Sequence, residues 1–140
     1  MKIALITDQH LDGRKGNINF WNYFQKFYDN IFFPTLEKEG ITTIIDLGDT
    51  FDNRKSMDYN TFNRVDANYF RRLVNYDVHM LLGNHCTYYK NTNAINSPEL
   101  LLEKYSNITI YSEPKNVKLG NKKFLICLLY TSDAADEGSS

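Results

Sequence analysis

Short apolar runs alternate with longer amphipathic stretches along this chain, and that alternation sets the predicted elements. Lys2 to Thr7 (KIALIT) is an isoleucine-rich apolar run ended by polar Asp8, which predicts a buried strand. From Phe20 to Glu39, the apolar residues Phe20, Tyr23, Phe24, Phe27 and Ile31 recur at steps of three and four, predicting an amphipathic helix. Gly40 stops it and Pro34 should kink or divide it. Ile41 to Leu47 (ITTIIDL) predicts a second strand. Asp58 to Asn75 predicts a second helix with Phe62, Val65, Phe70 and Leu73 as core contacts. Val78 to Leu82 is a third strand. Ser97, Pro98 and Glu99 supply the cap, the first-position proline and the first-turn acid of a helix running to about Tyr105. Ile108 to Tyr111 follows as a strand, and Val117 to Leu129 alternates around Gly120-Asn121, the signature of a hairpin.

The order is βαβαβαβ and then a β-hairpin, an α/β arrangement. Strands separated by helices of this length imply a mainly parallel sheet covered on both faces, with functional loops at the carboxyl ends of its strands. There is no internal repeat and no interdomain linker, so residues 1–129 read as one domain. Residues 130–140 (YTSDAADEGSS) lose the apolar pattern and read as a disordered or non-native tail.

Composition narrows the class. A chain of 140 residues with 42% hydrophobic and 14% aromatic content is long and apolar enough for a real core. Sixteen basic residues against seventeen acidic ones exclude a global basic field, so any nucleic-acid contact must be local. Two cysteines, Cys86 and Cys127, are too few for a disulfide framework and point to a reducing compartment, the cytoplasm. No run approaches the roughly 20 apolar residues of a membrane helix.

Three polar clusters stand where successive predicted strands end: Asp8-Gln9-His10, then Gly48-Asp49-Thr50-Phe51-Asp52, then Gly83-Asn84-His85. They converge on one edge of the sheet. Carboxylate, amide oxygen and imidazole are the donors that hold divalent cations, and alternate residues leaving a strand, as Asp8 and His10 do, can reach one ion. Asp49 from the neighbouring strand is placed to bridge two. Each cluster alone is a common accident; the three in order, each at a strand exit, are a specific signal.

D-x-H, then G-D-x-x-D, then G-N-H resembles the calcineurin-like metallophosphoesterases. MKIALITDQHLDG, GDTFDNRK and GNHCTYYKNTNAINSPELL are similar in wording to the nuclease subunits of T-even-type phage recombination endonucleases, over about residues 1–129. The resemblance implies the N-terminal part of a β-sandwich flanked by helices, truncated, and a DNA phosphodiesterase with exonuclease and endonuclease activity in phage recombination and repair. It implies two divalent ions, Mn²⁺ by preference, an ATPase partner of the SMC type, a homodimer through N-terminal helices, and the host cytoplasm as location. Carried over residue by residue, Asp8 and His10 ligate one metal, Asp49 bridges, Asn84 ligates the second, and His85 acts on the phosphate as the catalytic imidazole.

The departures are informative. Where the family follows G-N-H with an acid that orients the histidine, this chain has Cys86, leaving Thr87, Asp52 or a backbone carbonyl for that task. Asp52 is therefore a candidate for supporting catalysis, against a plain turn or capping aspartate. The family also supplies a further histidine and a late His-x-His, whereas this chain has only His10, His79 and His85, so these 140 residues are expected to bind at most one ion well and to be a poor or inactive catalyst. His79 lies inside a strand and reads as a packed core histidine. Arg54, Lys55, Arg14 and Tyr88 flank the clusters and are candidate DNA contacts, with solvated loop or core packing as their bland reading. The dense aromatics Phe20, Trp21, Tyr23, Phe24, Phe27 and Tyr28 read as core. The alternatives to a nuclease are a phosphatase or nucleotidase on the same scaffold, or a non-catalytic DNA-end-binding subunit.

Overall fold

The computed structural model describes residues 1–13, 17–51, 59–81, 102–111 and 113–127. Four parallel strands form its sheet in the order β1 (Ile3–Ile6), β2 (Thr43–Asp46), β3 (Asp77–Leu81), β4 (Ile108–Tyr111). The register aligns Ile6 with Asp46, Asp46 with Met80, and Met80 with Ile110. An antiparallel pair, β5 (Lys115–Leu119) and β6 (Lys122–Ile126), closes through Gly120 and Asn121. Gly120 has φ +63°, the positive value that the first position of such a two-residue loop requires.

The strands that sequence periodicity predicts are all present, with the first two trimmed to Ile3–Ile6 and Thr43–Asp46 and the third beginning one residue earlier, at Asp77–Leu81. The first long helix is divided, as Pro34 requires, but the device is specific. Helix α1 (Ile18–Phe27) passes through a π-helical turn at Tyr28–Phe32, in which the Phe33 amide reaches Tyr28 O, into α2 (Phe33–Glu39), so Pro34, with no N–H to donate, directly follows the widened turn. Asn17 caps α1 by accepting from the amides of Asn19 and Phe20, and Gly40 ends α2 in the left-handed conformation at φ +66°. The second predicted helix is α3 (Tyr59–Asn68) followed by a 3₁₀ turn, Phe70–Leu73. The predicted helix beginning at Ser97 lies outside the described residues up to 101, and Leu102–Lys104 is turn rather than helix.

The sheet is covered on both faces, and by different material. Among the described residues, helices lie on one face. There Trp21, Tyr28, Phe32, Phe33 and Leu36 from α1 to α2, and Phe62, Val65, Tyr69, Phe70 and Leu73 from the α3 region, pack on Ile44, Val78, Met80 and Ile108. The hairpin supplies the other face, with Leu119 and Ile126 against Ile45, Leu81 and Tyr111. The four core contacts expected of the second helix are all buried. On the first helix the expectation needs correction: Tyr23 is 74% exposed, Phe27 40% and Ile31 57%, while Trp21, Tyr28 and Phe32 carry the core. The helix is aromatic on nearly every side, so periodicity cannot choose its inward face, and the π turn changes the facing of the residues after it.

His79 is the packed strand histidine expected of it. Its Nδ1 lies 2.7 Å from the Tyr111 hydroxyl and its Nε2 3.0 Å from Asp77 Oδ2, with the His79 and Tyr111 rings stacked 5.7 Å apart. A second polar knot ties the α3 region to the segment before β4. Buried Asp66 receives Lys104 Nζ at 2.9 Å, Arg71 Nε at 3.3 Å and the Tyr105 hydroxyl. Burial opposes its charge, but those hydrogen bonds and the Lys104 and Arg71 charges win and hold its carboxyl below the usual range.

Candidate metal centre

β1 and β2 run side by side and end at the same edge, and their exits continue as a short ladder. The amide of Leu47 donates to Ile6 O at 2.8 Å, Asp8 to Gly48 O at 3.0 Å, His10 to Asp49 O at 3.0 Å, and Leu11 to Thr50 O at 2.8 Å. This pairing brings Asp8, His10 and Asp49 together. Each offers one ligand atom, and the three atoms lie within 4.8 Å of one another. Two carboxylates and an imidazole at that spacing fit a divalent cation of the Mn²⁺ or Zn²⁺ kind. His10 Nε2 stands 3.9 Å from Asp8 Oδ1, and Thr7 Oγ1 donates to the other Asp8 oxygen at 2.9 Å.

The backbone at these positions is unusual. Asp8, His10 and Asp49 have φ of +54°, +46° and +54°, and they are the non-glycine residues with positive φ among the described residues. Left-handed aspartate and histidine cost roughly 1 kcal/mol or more each and persist only where the surroundings over-determine them. Gly48 at φ +118° allows the chain to turn into Asp49, a conformation closed to side-chain-bearing residues. The strain and the donor atoms coincide residue for residue.

Beneath the three donors lies a buried polar network that sequence reading missed. Asp46, the last residue of β2, is 1% exposed. Its Oδ1 accepts from the Gly48 amide at 3.0 Å, and its Oδ2 accepts from Gln9 Nε2 at 2.8 Å and Thr50 Oγ1 at 2.7 Å. The Tyr28 hydroxyl donates to Gln9 Oε1 at 2.8 Å. Burial pushes the Asp46 carboxyl up to about 6, against the pull of its three hydrogen bonds and with a small push from Asp49. Burial, with Asp46 nearby, likewise raises the Tyr28 hydroxyl, so it stays a donor.

The raised Asp46 carboxyl gives a signed pH dependence. Its folded pKa of about 6 exceeds the usual 3.8, so the stability it contributes is full below pH 3.8 and is lost as pH rises through 6. A two-unit difference corresponds to about 3 kcal/mol. In chelator, the stability advantage of the wild type over Asp46→Asn should shrink by about 2–3 kcal/mol between pH 4 and pH 7. Urea unfolding at four pH values reads it directly, and a flat difference refutes it.

A groove of about 600 Å³ opens beside Asp8, walled by Tyr23, Phe24, Phe27 and Ile31, with Lys26 at its rim. Tyr23, Phe27 and Ile31 are the helix residues that turn outward instead of joining the core. Of the other residues singled out from sequence, Arg14, Asp52, Arg54, Lys55, Asn84, His85, Cys86 and Tyr88 lie outside the described residues. No helix among the described residues is long and apolar enough to cross a membrane.

Comparison with known proteins identifies the family. Over 87 residues, 58% of this chain, it is 36% identical to "Exonuclease subunit 1" of Enterobacteria phage T4, covering 24% of that protein. Its structure aligns with the crystal structure of Pseudomonas putida nuclease MPE at a TM-score of 0.51 and 22% identity, over 83% of this chain and 49% of that one, a likeness of fold. The chain thus spans about a quarter of the phage relative and half of the structural one. The sequence pattern of the calcineurin-like phosphoesterases matches residues 1–131, and with the acid and imidazole donors gathered at the exits of β1 and β2, the chain belongs to that family.

Proposed function

We propose that this chain is the N-terminal part of a metal-dependent DNA phosphodiesterase, an exonuclease and endonuclease subunit of a phage recombination and repair complex. The observation that carries the reading is the triad of Asp8, His10 and Asp49 on the sheet edge of a phosphoesterase-family fold. The phage T4 relative, an exonuclease subunit by name, supports a DNA substrate and a multi-subunit assembly. An SMC-type ATPase partner and a homodimer belong to the same proposal, as do residues 1–129 as a partial metallophosphoesterase domain and 130–140 as a tail outside it.

Within that reading Asp8, His10 and Asp49 would hold one divalent ion, and Asp49 with Asn84 would contribute to a second. Bound at this edge, two Mn²⁺ ions would polarise the phosphoryl oxygens and lower the pKa of the attacking water. The chain's own residues do the rest. Asp8, His10 and Asp49 fix where the phosphate can sit, and His85 gives its proton to the departing oxygen, oriented by Asp52, Thr87 or a backbone carbonyl where the family has an acid in place of Cys86. The groove beside Asp8 offers the rings of Tyr23 and Phe27 to a nucleotide flanking the scissile bond, with Lys26 toward its phosphate. Arg14, Arg54, Lys55 and Tyr88 extend that contact along the strand.

The test uses the full-length protein with Mn²⁺ on single- and double-stranded DNA, alongside phosphate mono- and diesters. Diester and DNA cleavage that disappears with chelator is the expected result. Monoester preference would make it a phosphatase, and DNA-end binding without cleavage would make it a scaffold.

A further inference from the structure

We propose that Asp46, Gln9 and Tyr28 act as positioning residues, a buried brace that sets the spacing of Asp8, His10 and Asp49 and so the affinity of the metal centre. The proposal rests on the metal reading above. Gln9 sits between two ligands, and its side chain turns inward, 5% exposed, held at both ends of its amide by Asp46 and Tyr28. Asp46 reaches the second loop on either side of the third ligand, through the Gly48 amide and the Thr50 hydroxyl. One carboxylate therefore fastens both ligand-bearing loops. Tyr28 anchors the assembly to the helical layer, where its ring packs 4.9 Å from that of Tyr69.

Two physical points separate this from ordinary core polarity. First, a buried carboxylate whose three donors are all neutral is a costly choice at a strand end where an apolar residue would pack. Second, the brace lies under the three left-handed residues, which need outside restraint to stay there. A fixed acceptor that gathers one donor from the first loop and two from the second supplies that restraint. Partners of this kind behind metal ligands typically set affinity as well as orientation.

The experiment measures Mn²⁺ affinity by electron paramagnetic resonance of free Mn²⁺, with thermal unfolding in chelator, on the full-length protein and four variants. Asp46→Ala should weaken Mn²⁺ binding by about tenfold or more and Tyr28→Phe severalfold. Asp46→Asn should recover part of the loss, since its oxygen can keep the Gly48 amide and its N–H₂ can donate to a reversed Gln9 amide. Asp66→Asn, in the separate buried network, should lower stability and leave affinity unchanged. Wild-type affinity in folded Asp46→Ala overturns the brace, and so does an equal loss in Asp66→Asn. If Asp46→Ala does not fold, Tyr28→Phe, which removes one hydroxyl, decides in the same way. A wild type that binds no Mn²⁺ overturns the metal reading itself.

Discussion

In the full-length protein, if the proposed function holds, Asp49→Asn should lower phosphodiester cleavage by about three orders of magnitude, a loss of about 4 kcal/mol in transition-state stabilisation. Asp49 brings its carboxylate from the second strand's exit to within 4.8 Å of the donor atoms of both Asp8 and His10, so one substitution lowers the negative charge of the whole cluster. The asparagine is nearly isosteric, and it tolerates the φ of +54° at this position better than aspartate does. The fold should therefore be unaffected, and the loss can be assigned to the site rather than to the loop. Hydrolysis of a chromogenic phosphodiester and of linear duplex DNA, with far-ultraviolet circular dichroism as the folding control, reads both. Cleavage equal to wild type would remove Asp49 from the chemistry.

The grouping of Asp8, His10 and Asp49 was legible because Asp8 and Asp49 stand just past the apolar runs of two successive strands, where parallel strands release their chains at one edge. Parallel pairing then follows from helices between strands, and adjacency of Asp8 and Asp49 follows from pairing of β1 with β2. The brace was not legible. Asp46 stands inside ITTIIDL, where the apolar neighbours that announce a strand also hide an acid, and its partner Gln9 is 37 residues away. The only local hint was the polar residue between Asp8 and His10: if both ligands face the edge, Gln9 must face inward and needs a polar partner.

The first helix shows a different limit. Phe20, Tyr23, Phe24, Phe27 and Ile31 satisfy helical spacing, but so do Trp21, Tyr28 and Phe32 on another side. Spacing predicts a helix in either case and is silent on which side turns inward. In the structure Trp21, Tyr28 and Phe32 join the core, Tyr28 also reaching Gln9, and Tyr23 and Phe27 are left outward beside Asp8.

Phe70→Ala should be the most damaging single change to stability, at about 3–5 kcal/mol. Phe70 is fully buried, and its ring lies 5.1 Å from that of its neighbour Tyr69 and reaches two other segments, 5.8 Å to Phe51 and 6.4 Å to Tyr105. Val65, Leu73 and Met80, each also inaccessible, leave little freedom for the surroundings to collapse into the space left by a lost ring. Phe51 lies two residues beyond Asp49, so the cavity opens under the second ligand loop as well as in the core. For a domain of this size the urea midpoint should fall by about 2 M. Phe70→Leu, which refills part of the volume, should cost less than half as much. Equal midpoints for the alanine and leucine variants would show that the site relaxes freely, and that the aromatic layer is not what supports the loop of Asp49.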